Sequence, residues 1–236
     1  AGNPVIAAPP AEGSYDFRDP KVVELEGKTY MVCGSGKDGV GKILLYERGR
    51  DLFTWRYAGV LYESSEYGRV LECPDLFKLG DTYVLMFSQM KVASDAVVVL
   101  TGRFDGRKFT PEAVYKPEAG PQFYAPQTFL APDGRRIAIG WMYNWGRPLD
   151  QGAQSAGALS LAREVTLEKG RIRFAPAREA APLLQKEDPY VRIAPNSVEI
   201  TCRTEMPLCY QGRVQQVQIL RDTKSIEVFI NGGEKN

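Results

Sequence analysis

The sequence of 236 residues contains no histidine. Without an imidazole there is no Ser-His-Asp or Cys-His catalysis, no His-ligated zinc and no histidine general base within the chain. Any chemistry falls to carboxylates, a tyrosine or a bound cofactor. Net charge is nearly absent too: Lys+Arg is 30 and Asp+Glu is 29, which gives no electrostatic reason to expect a nucleic acid or an anionic membrane as partner. No apolar run approaches the roughly 18 residues that span a bilayer. Cysteine is scarce. Cys33, Cys73, Cys202 and Cys209 form no CxxC pair and no zinc spacing, and are too sparse for a disulfide framework, though one bridge is possible. No stretch of useful length has helical hydrophobic periodicity. The N-terminus has no signal-peptide pattern and opens Ala1-Gly2-Asn3-Pro4 without Met, as expected of a cut chain.

What is present is a repeat. Arg18-Asp19-Pro20-Lys21-Val22-Val23-Glu24-Leu25 leads to a Gly27 turn and Thr29-Tyr30-Met31-Val32. Glu72-Cys73-Pro74-Asp75-Leu76-Phe77 leads to Gly80 and Thr82-Tyr83-Val84-Leu85. Tyr124-Ala125-Pro126-Gln127-Thr128-Phe129 leads to Gly134 and Arg136-Ile137-Ala138-Ile139. The prolines at 20, 74 and 126 set steps of 54 and 52 residues. Two further short strands follow in each copy: 42–46 and 55–60, 96–100 and 108–115, 157–161 and 171–174. Four antiparallel strands in about 50 residues describe a β-propeller blade, and propellers close with about 4–8 blades. Three copies cannot close a ring, so blades are expected to be missing ahead of residue 1. A β-sandwich with similar hairpins is the competing architecture. Residues 179–190 are expected to be a linker. Segments 214–219 and 225–230, around a turn at 221–224, predict a β-hairpin of a second all-β unit.

If the proline-led strand lines a central channel, Arg18, Asp19, Glu72, Cys73 and Tyr124 gather at one mouth of it. Burying Asp and Glu is costly unless they are paired, so carboxylates at equivalent points of successive copies suggest a site. Converging carboxylates without histidine point to glycosidic-bond chemistry. The alternative is that Asp19 pairs with Arg18 or caps a turn while Glu72 faces solvent. Gly34-Ser35-Gly36, with no Lys-Ser/Thr and no helix after it, is expected to be a plain loop. Asp51 with Trp55 is expected to make a structural turn.

At these positions the chain resembles glycoside hydrolase family 32, the β-fructosidases. The resemblance rests on Arg18-Asp19-Pro20, Glu72-Cys73-Pro74-Asp75-Leu76-Phe77, Phe123-Tyr124-Ala125-Pro126-Gln127 and Gly140-Trp141-Met142, with weaker likeness at 157–167 and 225–234. It implies an all-β fold: a five-bladed β-propeller, of which about the last three blades are present (residues 1–178), then a partial β-sandwich (191–236). It implies retaining hydrolysis of terminal β-D-fructofuranosides such as sucrose, sucrose 6-phosphate or fructans. Carried over, Glu72 is the general acid/base and Asp19 the transition-state stabiliser. Arg18 and Cys73 tune the two carboxylates, and Tyr124 and Trp141 wall the substrate pocket, with plain packing an equal reading for Trp141. No metal and no cofactor are implied. The partner is a fructose-containing oligo- or polysaccharide. The family nucleophile, an Asp in Asn-Asp-Pro-Asn, has no counterpart here, so the chain alone is expected to be inactive and to need a separate N-terminal piece. A non-catalytic carbohydrate-binding propeller and a five-bladed arabinanase or xylosidase relative remain open. Cys73 beside Glu72 favours the cytoplasm over export.

Overall fold

A computed structural model describes residues 3–90, 92, 96–143, 156–201 and 208–236; Cys202 lies outside them. Described residues form strands and one short 3-10 turn, so the all-β expectation holds. β1 (Phe17–Leu25), β2 (Lys28–Lys37), β3 (Val40–Arg48) and β4 (Trp55–Ser64) make an antiparallel meander in sequence order. β5 (Leu71–Leu79), β6 (Thr82–Gln89), β7 (Val97–Phe104) and β8 (Phe109–Tyr115) repeat it. In the third copy β9 (Tyr124–Leu130) pairs with β10 (Arg136–Met142). The third strand there is interrupted. β11 (Ala158–Leu159) and β12 (Arg163–Glu168) both pair with β10, and β13 (Arg171–Pro176) closes the sheet.

The chain divides into two compact units, residues 1–92 with 97–115, and residues 93–96 with 116–236. In the first unit the strand period of two sorts the core. Val32, Ile43 and Leu45 point to one face and join Leu76, Leu85, Phe87, Val98 and Leu100 of the second sheet. Met31, Cys33, Leu44 and Tyr46 point to the other face. β2 is buried at every position between its two end residues, as expected of a strand covered on both sides.

Gly34-Ser35-Gly36 is not a loop. It lies inside β2, and the turn comes only at Asp38-Gly39. A Cβ on Gly34 would stand 2.4 Å from the Leu71 carbonyl oxygen, and one on Gly36 1.7 Å from that of Arg69. The glycines are there so that the backbone entering β5 can approach β2, a role that sequence shares with loops. Asp51 does make a turn: its Oδ1 accepts from the Phe53 and Thr54 N–H groups at 2.9 and 2.7 Å. Asp105, 54 residues later, does the same for Arg107 and Lys108.

In the second unit, a 3-10 turn (Arg178–Leu183) follows β13, and Gln185 exchanges two backbone hydrogen bonds with Ile219. β14 (Val191–Ala194), β15 (Ser197–Ile200) and β16 (Leu208–Gln211) form one sheet. β17 (Val217–Arg221) and β18 (Ile226–Ile230) form the expected hairpin. Val191, Val198, Val217, Ile219, Val228 and Ile230 make their common core. Arg163 on β12 is enclosed between Glu118 and Glu227, all three under 7% exposed, with the Glu227 contact at 2.8 Å and its guanidinium 4.1 Å from the Phe123 ring centroid.

Candidate active site

The first strand of each repeated sheet carries the same irregularity. On β1, Asp19 and Pro20 together face the single Cys33 position of β2. On β5, Cys73 and Pro74 face the Phe87 position, and on β9, Ala125 and Pro126 face that of Gly140. Asp19, Cys73 and Ala125 have φ of 58, 50 and 49°. A residue before proline usually stays extended, and left-handed backbone costs a non-glycine residue about 1–2 kcal/mol. A bulge with this strain re-aims the side chains beside it. Proline is tolerated because the bulge asks no ladder N–H of it.

Because the two first strands lie against one another, residues 54 apart meet. The Arg18 Nη1 donates to Glu72 Oε1 at 2.8 Å. The Cys73 N–H donates to Asp19 Oδ2 at 2.9 Å, and the Cys73 Sγ lies 3.5 Å from the same oxygen. Lys21 Nζ stands 3.4 Å from Asp75 Oδ2. The pairs 18–72, 19–73 and 21–75 each share the step of the prolines. The structure thus brings Arg18, Asp19, Glu72 and Cys73 together. Glu72 is 12% exposed, against 35% for Arg18. The cluster is therefore more open to solvent at Arg18 than at Glu72.

The electrostatics follow from this crowding. Burial disfavours the Arg18 charge, but hydrogen bonds to Asp16 and Glu72 outweigh it and raise its pKa above the usual guanidinium value. Burial, and then the Asp19 carboxylate, push the Cys33 thiol up to about 12. The same causes raise the Cys73 thiol further. Both stay as thiols at neutral pH, so Cys73 can donate to Asp19 and is no nucleophile. Among the described residues, Cys33, Cys73 and Cys209 form no disulfide.

Tyr124 and Trp141 belong to the second unit, where they face each other as register partners of β9 and β10. Tyr124 is buried. Trp141 stacks on Tyr143 at 4.5 Å, and its indole N–H donates to the Ala156 carbonyl at 2.6 Å. A cavity of about 560 Å³ in that unit, walled in part by Tyr190, Tyr210, Arg221 and Lys224, is lined by none of Arg18, Asp19, Glu72, Cys73, Tyr124 and Trp141. The candidate site is therefore defined by converging side chains and not by cavity size.

Sequence reasoning missed Asp16, whose Oδ1 accepts from Arg18 Nη2 at 2.5 Å. It missed the Lys21–Asp75 pair too, though the 54-residue step carried that signal.

A family model described as the glycosyl hydrolases family 32 N-terminal domain matches residues 1–176. The chain belongs to glycosyl hydrolase family 32. This family-32 chain is 38% identical over 195 residues to the sucrose-6-phosphate hydrolase of Escherichia coli, covering 77% of this chain and 40% of that protein. To the raffinose invertase of Escherichia coli it is 36% identical over 204 residues, covering 81% and 43%. It spans about two-fifths of the length of these two curated relatives. Among solved structures, the Bombyx mori GH32 β-fructofuranosidase BmSUC1 superposes with a TM-score of 0.83 at 25% identity, covering 99% of this chain and 62% of that one. A mutant of the same Bombyx mori enzyme in complex with sucrose superposes with a TM-score of 0.81 at 26% identity, covering the same shares.

Proposed function

We propose that this chain carries two of the three carboxylates of a β-fructosidase, which cleaves terminal β-D-fructofuranosides with retention. One observation supports this most: Asp19 and Glu72 lie on adjacent first strands, cross-linked by the Arg18–Glu72 and Cys73–Asp19 hydrogen bonds. Glu72 protonates the leaving oxygen and then activates water. Asp19, oriented by the Cys73 N–H, stabilises the cationic fructosyl group through its hydroxyls. Arg18 orients Glu72.

In this reading the three repeated sheets are blades of a five-bladed propeller reaching to residue 178. Residues 179–190 connect it to a partial β-sandwich at 191–236. The likeness to BmSUC1 over 99% of the chain supports that assignment. The third carboxylate, the nucleophile, comes from a separate upstream segment, since retention needs two carboxyl groups about 5–5.5 Å apart.

Supplying that segment, fused or in trans, is expected to give hydrolysis of sucrose, sucrose 6-phosphate, inulin or levan and not of arabino- or xylo-oligosaccharides. Chiral analysis of early methanolysis products would read retention. Glu72→Gln should lower the rate about 10²–10⁴-fold. An assembled protein that binds fructosides with unchanged affinity after Glu72→Gln, and never cleaves them, would be a carbohydrate-binding propeller instead.

A further inference from the structure

Asp16 stands two residues ahead of Arg18, just before β1. Its backbone is pinned: the carbonyl accepts from the hydroxyl of the fully buried Ser35 on β2 at 2.7 Å, and the N–H donates to Ser14 Oγ at 3.2 Å. Its carboxylate takes one amino group of Arg18, and Glu72 takes the other. One guanidinium bridges the two acids. We propose that Asp16 is a positioning residue for Glu72, holding Arg18 in place and sharing its positive charge. The proposal rests on Glu72 being the acid/base.

The argument is electrostatic and geometric. A cation bound to a single carboxylate favours the charged form of that carboxylate, whereas an acid catalyst has to carry a proton into the reaction. A second carboxylate on the same guanidinium offsets that bias, and it also stops the long arginine side chain from swinging away. From β1 and its lead-in, Arg18, Asp16, Asp19 and Lys21 face the region of Glu72, and Lys21 is engaged with Asp75. β2 contributes the neutral thiol of Cys33. On β5 itself stand Cys73 and Asp75, and opposite on β6 the neutral Ser88 and Gln89. Among the described residues, Arg18 is thus a cation bonded to Glu72, and Asp16 is a counter-ion of that arginine.

Two variants separate the roles in the protein assembled with its upstream segment. Asp16→Asn keeps an acceptor oxygen for Arg18 but removes the charge. Its kcat/KM profile on sucrose should keep its height at low pH while the basic limb moves about half a pH unit lower. Asp16→Ala removes both, and kcat should fall several-fold with KM little changed. In crystals of the 236-residue Asp16→Ala chain, Arg18 should leave hydrogen-bond reach of Glu72. A basic limb of Asp16→Asn that superimposes on the parent, while Glu72→Gln abolishes turnover, overturns the proposal and leaves the acid/base assignment standing. Arg18 still bonded to Glu72 in Asp16→Ala overturns the positioning role without any assay. Undiminished turnover by Glu72→Gln removes the acid/base assignment itself, and the proposal with it.

Discussion

Between the first and second sheets the packing is made by Val32, Ile43, Leu45, Leu76, Leu85, Phe87, Val98 and Leu100; Arg18 and Glu72 stand at the leading ends of β1 and β5, and the buried Asp75 is paired with Lys21 farther along the same strands. The unit that holds residues 116–236 also has an apolar core, at Val191, Val198, Val217, Ile219, Val228 and Ile230. There a charged triad, Arg163 with Glu118 and Glu227, is buried in the interior, and Glu227 also accepts the Leu161 N–H at 2.8 Å. Glu72 keeps 12% of its side chain open, whereas Glu118 and Glu227 keep 5 and 6%. A carboxylate left partly open at a strained bulge is placed to meet a ligand. One closed in between an arginine and aromatic rings is placed to join strands distant in sequence, here β12, β18 and the segment before β9.

The largest effect that would break this contrast is expected at the triad. Arg163→Met leaves two enclosed carboxylates without their cation and should cost about 3–5 kcal/mol in urea unfolding, while the triple change Arg163→Met, Glu118→Leu, Glu227→Met should recover most of it. A loss from Arg163→Met no larger than that of an exposed arginine would mean that the triad does not join the strands. In the first unit, Leu85→Ala should cost about 2–5 kcal/mol, because a fully buried side chain leaves a cavity between the two sheets.

The thiols sharpen the comparison by a smaller margin. At pH 8 the exposed Cys209 should react with iodoacetamide at least about tenfold faster than Cys33 or Cys73, whose thiols burial and Asp19 keep protonated; peptide mass spectrometry reads each site. The smallest effect is expected at Glu179. Its hydrogen bonds to Arg135 hold its carboxyl down to about 2. A lowered carboxyl stabilises the folded state above its ordinary value near 4.5, and loses that contribution as the pH falls toward about 2. Glu179→Gln should therefore lower the unfolding midpoint slightly at pH 6 and not at pH 2.

Much of the fold was legible in the residues. The three proline-led copies became three meanders, and the hairpin around 221–224 became β17 and β18, because alternation and turn residues act over a few positions. Gly34-Ser35-Gly36 misled for a physical reason: glycine marks a turn and a close backbone approach alike, and only the Leu71 and Arg69 carbonyls distinguish them. Of the candidate site, Arg18, Asp19, Glu72 and Cys73 were legible as a group because the repeat places equivalent residues at equivalent points. Asp16 was not, since it lies outside the repeated motif and matters only through Arg18. Arg163 was not, since its partners are 45 and 64 residues away with no repeat to link them.

Sequence alone determined most strands and turns, Gly34-Ser35-Gly36 excepted, and that the unit recurs every 52 to 54 residues, because those properties depend on neighbours along the chain. Tertiary structure decided which charges meet. Setting β1 against β5 turned a 54-residue separation into a hydrogen bond, and a bulge at each X-Pro step aimed the side chains, both consequences of sheets packing through their apolar faces while their leading ends converge.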